Sequence, residues 1–264
     1  MLNAPTRWNA SAALPAMVGG SRSLLMLDYD GTLAPFHDDR LRALPWPGIA
    51  ERLDRLAALR STHVALISGR SARELASLLP ATLPVEIWGS HGREHLEPNG
   101  TYTLSGLAPA QQSVLDRLEN NLHAAGFGAQ VERKPVSIAA HWRSLPPVTA
   151  QQIERIARNS FADGGERAGL HLLGFEAGVE VRSESVNKGH AVVQMLNRHP
   201  GCAAAYLGDD TTDEDAFAAL DGRGLTLLVR QEPRPSHASY WLEPPRDLLS
   251  FLDAWIATAE GAGS

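Results

Sequence analysis

One stretch of the sequence decides the fold: Leu24-Leu25-Met26-Leu27-Asp28-Tyr29-Asp30-Gly31-Thr32-Leu33. Its four consecutive apolar residues are typical of a strand that is buried on both faces, as in a parallel sheet. The two acidic residues that follow would be costly to bury without partners. Because ligands of open α/β sheets bind beyond the carboxyl ends of the strands, we expect Asp28 and Asp30 to lie at a crevice where the chemistry takes place.

The composition is that of a globular protein with a full core. The chain has 264 residues, of which 44% are hydrophobic and 20% charged, and its net charge is −6. This length allows one large domain or two modest ones. The acidic balance argues against a nucleic-acid partner, because no basic excess is available to bind phosphates. The single cysteine, Cys202, excludes a disulfide within the chain and favours a reducing compartment.

The sequence shows no targeting or membrane segment. Residues 1–8 lack a basic flank followed by an apolar segment. No apolar run approaches the ~18 residues that a membrane span requires. We therefore expect a cytoplasmic monomer that has no membrane partner.

Strands and helices alternate over most of the chain, which predicts an α/β fold with a parallel sheet flanked by helices. Buried strands are predicted at residues 63–67, 85–88, 203–207 and 225–229. Helices are predicted after Pro47 and at residues 71–79, 187–199, 212–220 and 246–259. The Asn-Gly pair at 99–100 predicts a hairpin. We expect residues 1–22 to be a loose lead-in and residues 232–245 to be a loop.

The pattern changes in residues 106–183. This segment has helical periodicity at 109–125 and 148–161, and pairs of alternating strands lie near 130–142 and 171–182. Such a pattern predicts an α+β domain with its own core. We expect this domain to be inserted into an α/β domain formed by residues 1–105 and 184–264.

Polar residues follow four of the predicted strands, and these strand ends should meet at one edge of the sheet. They carry Asp28 and Asp30, Ser68, Ser90 and His91, and Asp209, Asp210 and Asp213, while Lys188 begins a nearby helix. Clustered carboxylates raise each other's pKa values unless a cation lies between them. Oxygen ligands suit a hard ion, and we expect Mg²⁺ with waters and a substrate phosphate.

These residues could transfer a phosphoryl group. A carboxylate can attack phosphorus and form an aspartyl-phosphate intermediate. A second carboxylate two residues away could protonate the leaving oxygen and later activate water. A lysine and a serine at the same place could bind the remaining phosphate oxygens.

The motifs resemble those of the haloacid dehalogenase-like (HAD) hydrolase superfamily. Residues 28–33 match its DxDGT motif, Ser68-Gly69-Arg70 resembles its second motif, Lys188 its third and residues 208–214 its fourth. The inserted segment resembles the cap domain of sugar-phosphate phosphatases in this superfamily. The resemblance implies a HAD-like Rossmannoid core with an α+β cap that determines substrate specificity.

Further segments resemble the trehalose-6-phosphate phosphatases. These segments are residues 89–94, 132–137, 141–143, 180–182 and 187–189. This resemblance implies Mg²⁺-dependent hydrolysis of a disaccharide phosphate, trehalose 6-phosphate, to trehalose and phosphate, which is a step of trehalose biosynthesis.

The resemblance also implies roles for individual residues. Asp28 would be the nucleophile and Asp30 the general acid and base. The metal ligands would be Asp28, the backbone carbonyl of Asp30 and Asp209, and Asp210 and Asp213 would hold the waters of the ion. The phosphate would be bound by Ser68, Gly69 and Lys188. The sugar would be contacted by Glu132, Lys134, Arg143, Glu180, His91 and Gly92.

Other interpretations stay open at this point. The core motifs also fit a phosphatase for another sugar phosphate, of the sucrose-phosphate or mannosyl-phosphoglycerate type, or a phospho-accepting or sugar-binding protein without enzyme activity. Glu132 and Lys134 could form a mere surface ion pair. We leave Arg70 out of the catalytic set, because an exposed charge at the start of a helix explains it equally well.

Overall fold

The chain divides into two compact units. The computed structural model describes residues 4–9, 14, 22–37, 39–80, 83–175, 177–183 and 186–261. Met1–Leu104 and Val186–Ser264 form one unit, which we call the core unit, and Ser105–Ser185 form the other, which we call the inserted unit. The expected domain boundary at residue 184 lies outside the described residues.

The secondary structure follows the predicted alternation. The strands are β1 (Thr6–Arg7), β2 (Ser23–Leu27), β3 (Thr62–Ile67), β4 (Glu86–Gly89), β5 (Glu94–Leu96), β6 (Tyr102–Leu104), β7 (Val131–Lys134), β8 (Ser137–His141), β9 (Leu170–Phe175), β10 (Gly178–Ser183), β11 (Ala203–Gly208), β12 (Gly224–Val229) and β13 (Tyr240–Leu242). The α-helices are α1 (Ile49–Ala58), α2 (Ala72–Ser77), α3 (Pro109–Ala124), α4 (Pro147–Ala162), α5 (Lys188–Arg198), α6 (Glu214–Leu220) and α7 (Arg246–Gly261).

The core unit is built on one sheet with the strand order β1-β13-β12-β11-β2-β3-β4-β5-β6. Every neighbouring pair from β1 to β4 is parallel, and β5 and β6 add an antiparallel hairpin at one edge. The predicted α/β fold with a parallel sheet is therefore confirmed. Strand β2, which contains the apolar run of the opening stretch, lies between β11 and β3.

The apolar run is unbroken because helices cover both faces of β2. Side chains alternate between the two faces of a strand. Leu25 and Leu27 belong to the cluster that α1, α2 and α7 complete, whereas Leu24 and Met26 belong to the cluster that α5 and α6 complete. All four leucine and methionine side chains are fully buried. This burial on both faces fixes the position of the acidic residues at the end of the strand.

The inserted unit has a separate core. Its antiparallel sheet has the order β7-β8-β10-β9. Residues of α3 and α4, such as Leu118 and Ile153, pack against alternate residues of this sheet, such as Ile138 and Val181. The other residues of each strand therefore lie on the opposite face of the sheet.

Two expectations for the ends of the core unit were wrong. Part of the expected loose lead-in forms β1, which pairs in parallel with β13, and β13 itself lies in the expected loop at 232–245. Trp8 is buried and packs edge-on against Phe251, with ring centroids 5.0 Å apart. Strands of two or three residues are too short to show the alternation on which a sequence prediction depends. No described helix has the length and apolar character needed to cross a membrane.

Trp8 gives a direct test of the packing at this edge. We expect Trp8→Ala to lower the free energy of unfolding by about 3 kcal/mol, because a large buried side chain is lost from a packed cluster. Thr6→Ala, at an exposed position of β1 two residues before Trp8, should change it by less than about 0.5 kcal/mol. Urea denaturation of both variants measures the difference, and equal stability of the two would contradict the packing of Trp8.

Candidate active site

The carboxyl end of β2 positions the first two acidic residues. The backbone N–H of Asp28 donates to the carbonyl of Leu207 on β11 at 2.8 Å, so Asp28 stays aligned with the sheet and its side chain is buried. The chain then turns: the N–H of Ala34 donates to the carbonyl of Tyr29 at 2.9 Å, and Gly31 adopts a φ of 82°. The side chain of Asp30 lies partly exposed beside this turn.

Lys188 links two of the predicted strand ends. It is the first residue of α5, whose N-terminus is capped by the side chain of Asn187. Its Nζ lies 2.7 Å from Asp28 Oδ1 and 2.7 Å from Asp213 Oδ1, and all three side chains are buried. Burial alone would lower the pKa of Lys188, but the charges of Asp213 and Asp28 outweigh this effect and raise the pKa. Lys188 is therefore a fixed cation within the site.

Both carboxylate oxygens of Asp213 accept hydrogen bonds from residues of the core unit. Its Oδ2 accepts from the backbone N–H groups of Asp209 at 3.0 Å and Asp210 at 2.9 Å. Its Oδ1 accepts from Lys188 and from the hydroxyl of Tyr206 at 2.5 Å. Through these bonds, Asp213 positions both the ammonium group of Lys188 and the loop after β11.

The carboxylates fit a divalent cation. Asp28, Asp209 and Asp213 each offer an oxygen, and these oxygens lie within 4.8 Å of one another. Within the described residues, Asp209 Oδ1 is buried and has no hydrogen-bond partner. Burial, and then the negative charges of the neighbouring carboxylates, raise the pKa of Asp209. Burial likewise raises the pKa of Asp28, against the opposing effect of Lys188. A cation beside these oxygens would keep both groups ionised and satisfy the unpaired oxygen.

A glycine makes room for this arrangement. A Cβ atom on Gly31 would lie 2.1 Å from Asp209 Oδ2, which is far inside van der Waals contact. Only a residue without a side chain lets the carboxylate of Asp209 lie against the turn after β2. The positive φ of Gly31 also favours glycine at this position.

A cavity of about 310 Å³ opens onto these groups. The predicted residues that line it are Asp28, Asp30, Ser68, Gly69, His91, Lys188, Asp209 and Asp210. Asp213 lies beneath the lining, and Gly92 packs against α5, where a Cβ would lie 3.0 Å from the carbonyl of Asn187. Among the residues predicted in the core unit, only these two are not in the cavity wall.

The loops after β3 and β4 support each other at the cavity. The backbone N–H of His91 donates to the carbonyl of Ser68 at 2.9 Å, and His91 adopts a left-handed backbone with a φ of 58°. A Cβ on Gly69 would lie 2.8 Å from the ring of His91, so glycine lets the imidazole approach. Ser68 Oγ accepts from the backbone N–H of Arg70 at 3.2 Å. Ser68 therefore stabilises its loop as well as lining the cavity.

Arg70 is the main residue that the sequence analysis missed. Of the two interpretations left open for Arg70, that of an exposed charge at the start of a helix is wrong, because Arg70 is only 3% exposed. Its Nε and Nη2 bind the two carboxylate oxygens of Asp30 at 2.6 and 2.7 Å, and its Nη1 binds Glu74 at 2.6 Å. The Oγ atom of Ser71 caps α2 by accepting from the backbone N–H of Glu74, whereas the carboxylate of Glu74 binds Arg70. The available signal was the acidic residue four positions after Arg70.

Apart from Thr212, which lies within the motif at residues 208–214, three more residues of the cavity wall were not predicted from the sequence. Phe36, His37 and Arg40 follow the turn after β2 and line the cavity. Phe36 is 72% exposed, although it is a large apolar side chain. These residues lie in an irregular segment, where no periodic pattern distinguishes a functional side chain from an ordinary surface residue.

The inserted unit gathers three of its four predicted residues on one face of its sheet. Glu132 and Glu180 both lie opposite Ala139, and Lys134 is two residues beyond Glu132. Lys134 Nζ lies 3.1 Å from Glu180 Oε1. Burial would raise the pKa of Glu180, but Lys134 and further donors outweigh it and lower the pKa. The fourth residue, Arg143, is exposed and follows β8.

A histidine on the same face of the sheet binds the carboxylate of Glu132. His141 Nε2 lies 2.9 Å from Glu132 Oε2. This face is opposite to the one that α3 and α4 cover, because its residues alternate with those of the apolar cluster. The inserted unit thus presents paired charged groups on the face of its sheet that its own helices leave uncovered.

Because Gly31 lies so close to the carboxylate of Asp209, one added methyl group at position 31 should weaken metal binding. Gly31→Ala should weaken the binding of Mn²⁺, used as a spectroscopic probe, by at least tenfold, because the new Cβ displaces the carboxylate of Asp209. Gly100→Ala is a matched control, since Gly100 has a similar φ of 87° but nothing within 4 Å of its added Cβ. Electron paramagnetic resonance of free Mn²⁺ measures both affinities. Equal losses in the two variants would assign the effect to backbone strain elsewhere.

Comparison with known proteins identifies the family of the chain. A family model described as trehalose-phosphatase matches residues 26–245. The trehalose-phosphate phosphatase of Mycobacterium marinum is 32% identical over 244 residues, which cover 87% of this chain and 60% of that protein. The bifunctional trehalose-6-phosphate synthase/phosphatase of Thermoproteus tenax is 33% identical over 235 residues, which cover 88% of this chain and 32% of that protein.

A solved structure shows the same fold. The C-terminal domain of trehalose-6-phosphate phosphatase from C. albicans matches with a TM-score of 0.72 and 24% identity, over 97% of this chain and 99% of that chain. The chain spans about 60% of the length of the mycobacterial relative. Because the family model covers most of the chain, this protein belongs to the trehalose-phosphatase family.

Proposed function

We propose that the protein hydrolyses trehalose 6-phosphate to trehalose and inorganic phosphate, as a step of trehalose biosynthesis. One observation carries the proposed chemistry: a single cavity holds Asp28, Lys188 and Asp209, and Asp30 is fixed beside them by Arg70. The family of the chain supports the choice of substrate.

The charges of the cavity suit a phosphate ester. The phosphoryl group would lie against Asp28, where Lys188, Ser68 and Gly69 offer a cation, a hydroxyl and a backbone N–H. We propose Mg²⁺ as the ion, held by Asp28, the carbonyl of Asp30 and Asp209; when bound, it would neutralise negative charge on the phosphate and the carboxylates. Asp210, exposed at the cavity, would hold a water of the ion. Asp213 would act through Lys188 and the loop after β11.

The reaction would proceed in two steps at Asp28. In the first step, an Oδ atom of Asp28 bonds to phosphorus while the bond from phosphorus to the sugar oxygen breaks, and Asp30 gives its proton to that oxygen. In the second step, Asp30 takes a proton from water, the water oxygen bonds to phosphorus, and the aspartyl-phosphate bond breaks to restore Asp28. Positioning and charge neutralisation account for most of the catalysis in such transfers.

Arg70 would set the position of Asp30 between these steps. Both oxygens of Asp30 are bound to the guanidinium group. One of these bonds has to open before Asp30 can deliver a proton to a substrate. Arg70 is thus a positioning residue, and it is itself held by Glu74 and by the backbone carbonyl of Arg40.

The inserted unit, residues 106–183 in the sequence analysis, would serve as the cap that selects the sugar. Glu132, Lys134 and Glu180 share one face of its sheet, and Arg143 follows the central strand β8. Charged groups form the stronger hydrogen bonds to hydroxyl groups, and a disaccharide has many hydroxyl groups. From the core unit, His91 would contact the substrate at the cavity wall, and Gly92 would shape the loop that presents it.

A panel assay tests the proposal. We expect phosphate release to be fastest with trehalose 6-phosphate, to stop when a chelator is added and to resume with Mg²⁺. Asp28→Asn should lower kcat by at least a thousandfold, because no carboxylate remains to attack phosphorus. Asp54→Asn, which changes an exposed acid on α1, should leave kcat unchanged.

Each alternative has its own result in this assay. Faster release from sucrose 6-phosphate or a mannosyl phosphate would assign the protein to another sugar phosphate. Turnover that survives in Asp28→Asn would exclude the aspartyl-phosphate mechanism. Sugar-phosphate binding without phosphate release would identify a binding protein.

The charged face of the inserted unit predicts a selective loss of affinity. Glu132→Ala should raise KM for trehalose 6-phosphate by at least tenfold and leave KM for p-nitrophenyl phosphate nearly unchanged, because the small ester has no sugar hydroxyls. Glu154→Ala, on the exposed surface of α4, is the matched control and should affect neither value. Steady-state kinetics with both esters measure the effect, and equal losses with the two esters would exclude Glu132 from sugar recognition.

A further inference from the structure

A second cluster of metal-ligating side chains lies at the opposite edge of the core sheet. His63 is near the start of β3, Glu86 begins β4, and His199 directly follows α5. Ser68, in the cavity described above, comes five residues after His63 along β3. At about 3.3 Å per residue, the two places are about 16 Å apart. The cluster is therefore separate from the candidate active site.

The fold brings these three residues to one point. His63 and Glu86 lie on the face of the sheet that α5 covers, since Ala65 and Trp88, two residues further along each strand, pack in the cluster with α5. The end of α5 then carries His199 over the two strands. His63 Nε2 is 2.6 Å from Glu86 Oε2, and the rings of His63 and His199 have centroids 4.4 Å apart.

The donor atoms are close enough for one ion. One nitrogen of each histidine and one oxygen of Glu86 lie within 4.8 Å of one another. A tetrahedral ion with bonds of about 2.0–2.1 Å separates its ligand atoms by about 3.3 Å. Small rotations of the two partly exposed imidazoles would meet this requirement without any movement of the strands.

Outer hydrogen bonds hold the carboxylate of Glu86 in one orientation. Glu86 is buried, and its Oε1 accepts from Trp88 Nε1 at 3.0 Å, His95 Nε2 at 2.6 Å and Arg198 Nη1 at 2.8 Å. These three donors leave Oε2 directed at His63. Metal-ligating carboxylates are typically held by outer donors in this way.

In the described part of the chain, the ring nitrogens of His199 are available as metal ligands. Within the described residues, its ring lies tilted by 31° against the ring of His63, and neither ring nitrogen has a hydrogen bond. The charge of Arg198, which would oppose a cation, is partly neutralised by Glu97 at 2.8 Å. His63 is 34% exposed, so the remaining position on an ion would be open to water.

We propose that His63, Glu86 and His199 form a second metal site, which binds a late first-row divalent ion such as Zn²⁺. Two imidazoles and one carboxylate with an open fourth position are a usual donor set for Zn²⁺. Mg²⁺ prefers oxygen ligands in octahedral geometry, so the magnesium proposed for the catalytic cavity would not compete here. Binding of the ion at His63 Nε2 needs a free lone pair on this nitrogen, so the proton of the neutral imidazole moves to Nδ1, and bonds to the ion replace the hydrogen bond between His63 and Glu86.

The site would join β3, β4 and the end of α5. An ion that binds the folded chain and not the unfolded chain stabilises the fold in proportion to the logarithm of its concentration. Zn²⁺ at concentrations far below those of Mg²⁺ should therefore raise the melting temperature of the core unit without entering the catalytic cavity.

Titration of the full chain in excess Mg²⁺ tests the proposal. Calorimetry with Zn²⁺ should show one bound ion per chain. Co²⁺ at the same site should give the intense visible bands of a tetrahedral complex. His199→Gln, which removes no hydrogen bond between the described residues, should lower the Zn²⁺ affinity at least tenfold and abolish these bands.

Two further variants complete the test. His237→Gln changes an exposed histidine elsewhere in the core unit and should bind Zn²⁺ as the unchanged chain does. Asp209→Asn, which removes a ligand of the catalytic cavity, should also keep the site. Unchanged affinity in His199→Gln, loss of binding in Asp209→Asn, or no Zn²⁺ binding in excess Mg²⁺ would each overturn the proposal.

Discussion

The contact on which the rest of the candidate site depends is the ammonium group of Lys188 between the carboxylates of Asp28 and Asp213. Its two distances of 2.7 Å join α5 to the end of β2, 160 residues earlier in the chain, and to the loop after β11. All three charged groups are buried, and removal of Lys188 would leave two uncompensated carboxylates in the interior. The geometry of the cavity is therefore tied to the packing of α5 on the sheet.

Asp213 extends this constraint to the loop that follows β11. The same carboxylate that holds Lys188 also accepts from the backbone of Asp209 and Asp210 and from Tyr206. A Cβ on Gly208 would lie 2.3 Å from Asp213 Cγ, so the close fit of this side chain also depends on a glycine. One buried acid thus sets the positions of a cation and of the acidic loop, although it does not line the cavity itself.

The parts of this arrangement that the sequence predicts are those with a repeated physical signal. Leu24–Leu27 predicts a strand buried on both faces, and the polar residues that follow each strand predict one shared edge. The orientation of Arg70 has no such signal, because a basic residue at the start of a helix is equally compatible with solvent. Its role depends on Asp30, Glu74 and Arg40 meeting in space, which local patterns do not encode. Strands β1 and β13 are not predicted for a different reason. They pair at an edge of the sheet that exists only once the other strands have assembled.

The balance of charge explains why the two edges of the core sheet suit different ions. At the carboxyl edge, the buried carboxylates of Asp28, Asp209 and Asp213 face the single buried ammonium of Lys188. This excess of negative charge, together with burial, raises the pKa values of Asp28 and Asp209, so without an ion the site tends to take up protons. A hard divalent cation would remove that tendency and leave Asp28 ionised, which is the state that its proposed role as the nucleophile requires. At the amino edge, Glu86 is surrounded by His63, His95 and Arg198, and the donors around it are mostly nitrogen. An ion that prefers oxygen ligands would bind weakly to such a set. An ion that prefers imidazole would have its ligands already positioned by β3, β4 and the end of α5. In these two proposals, the residues at the opposite ends of the strands of one parallel sheet would hold two different kinds of metal ion.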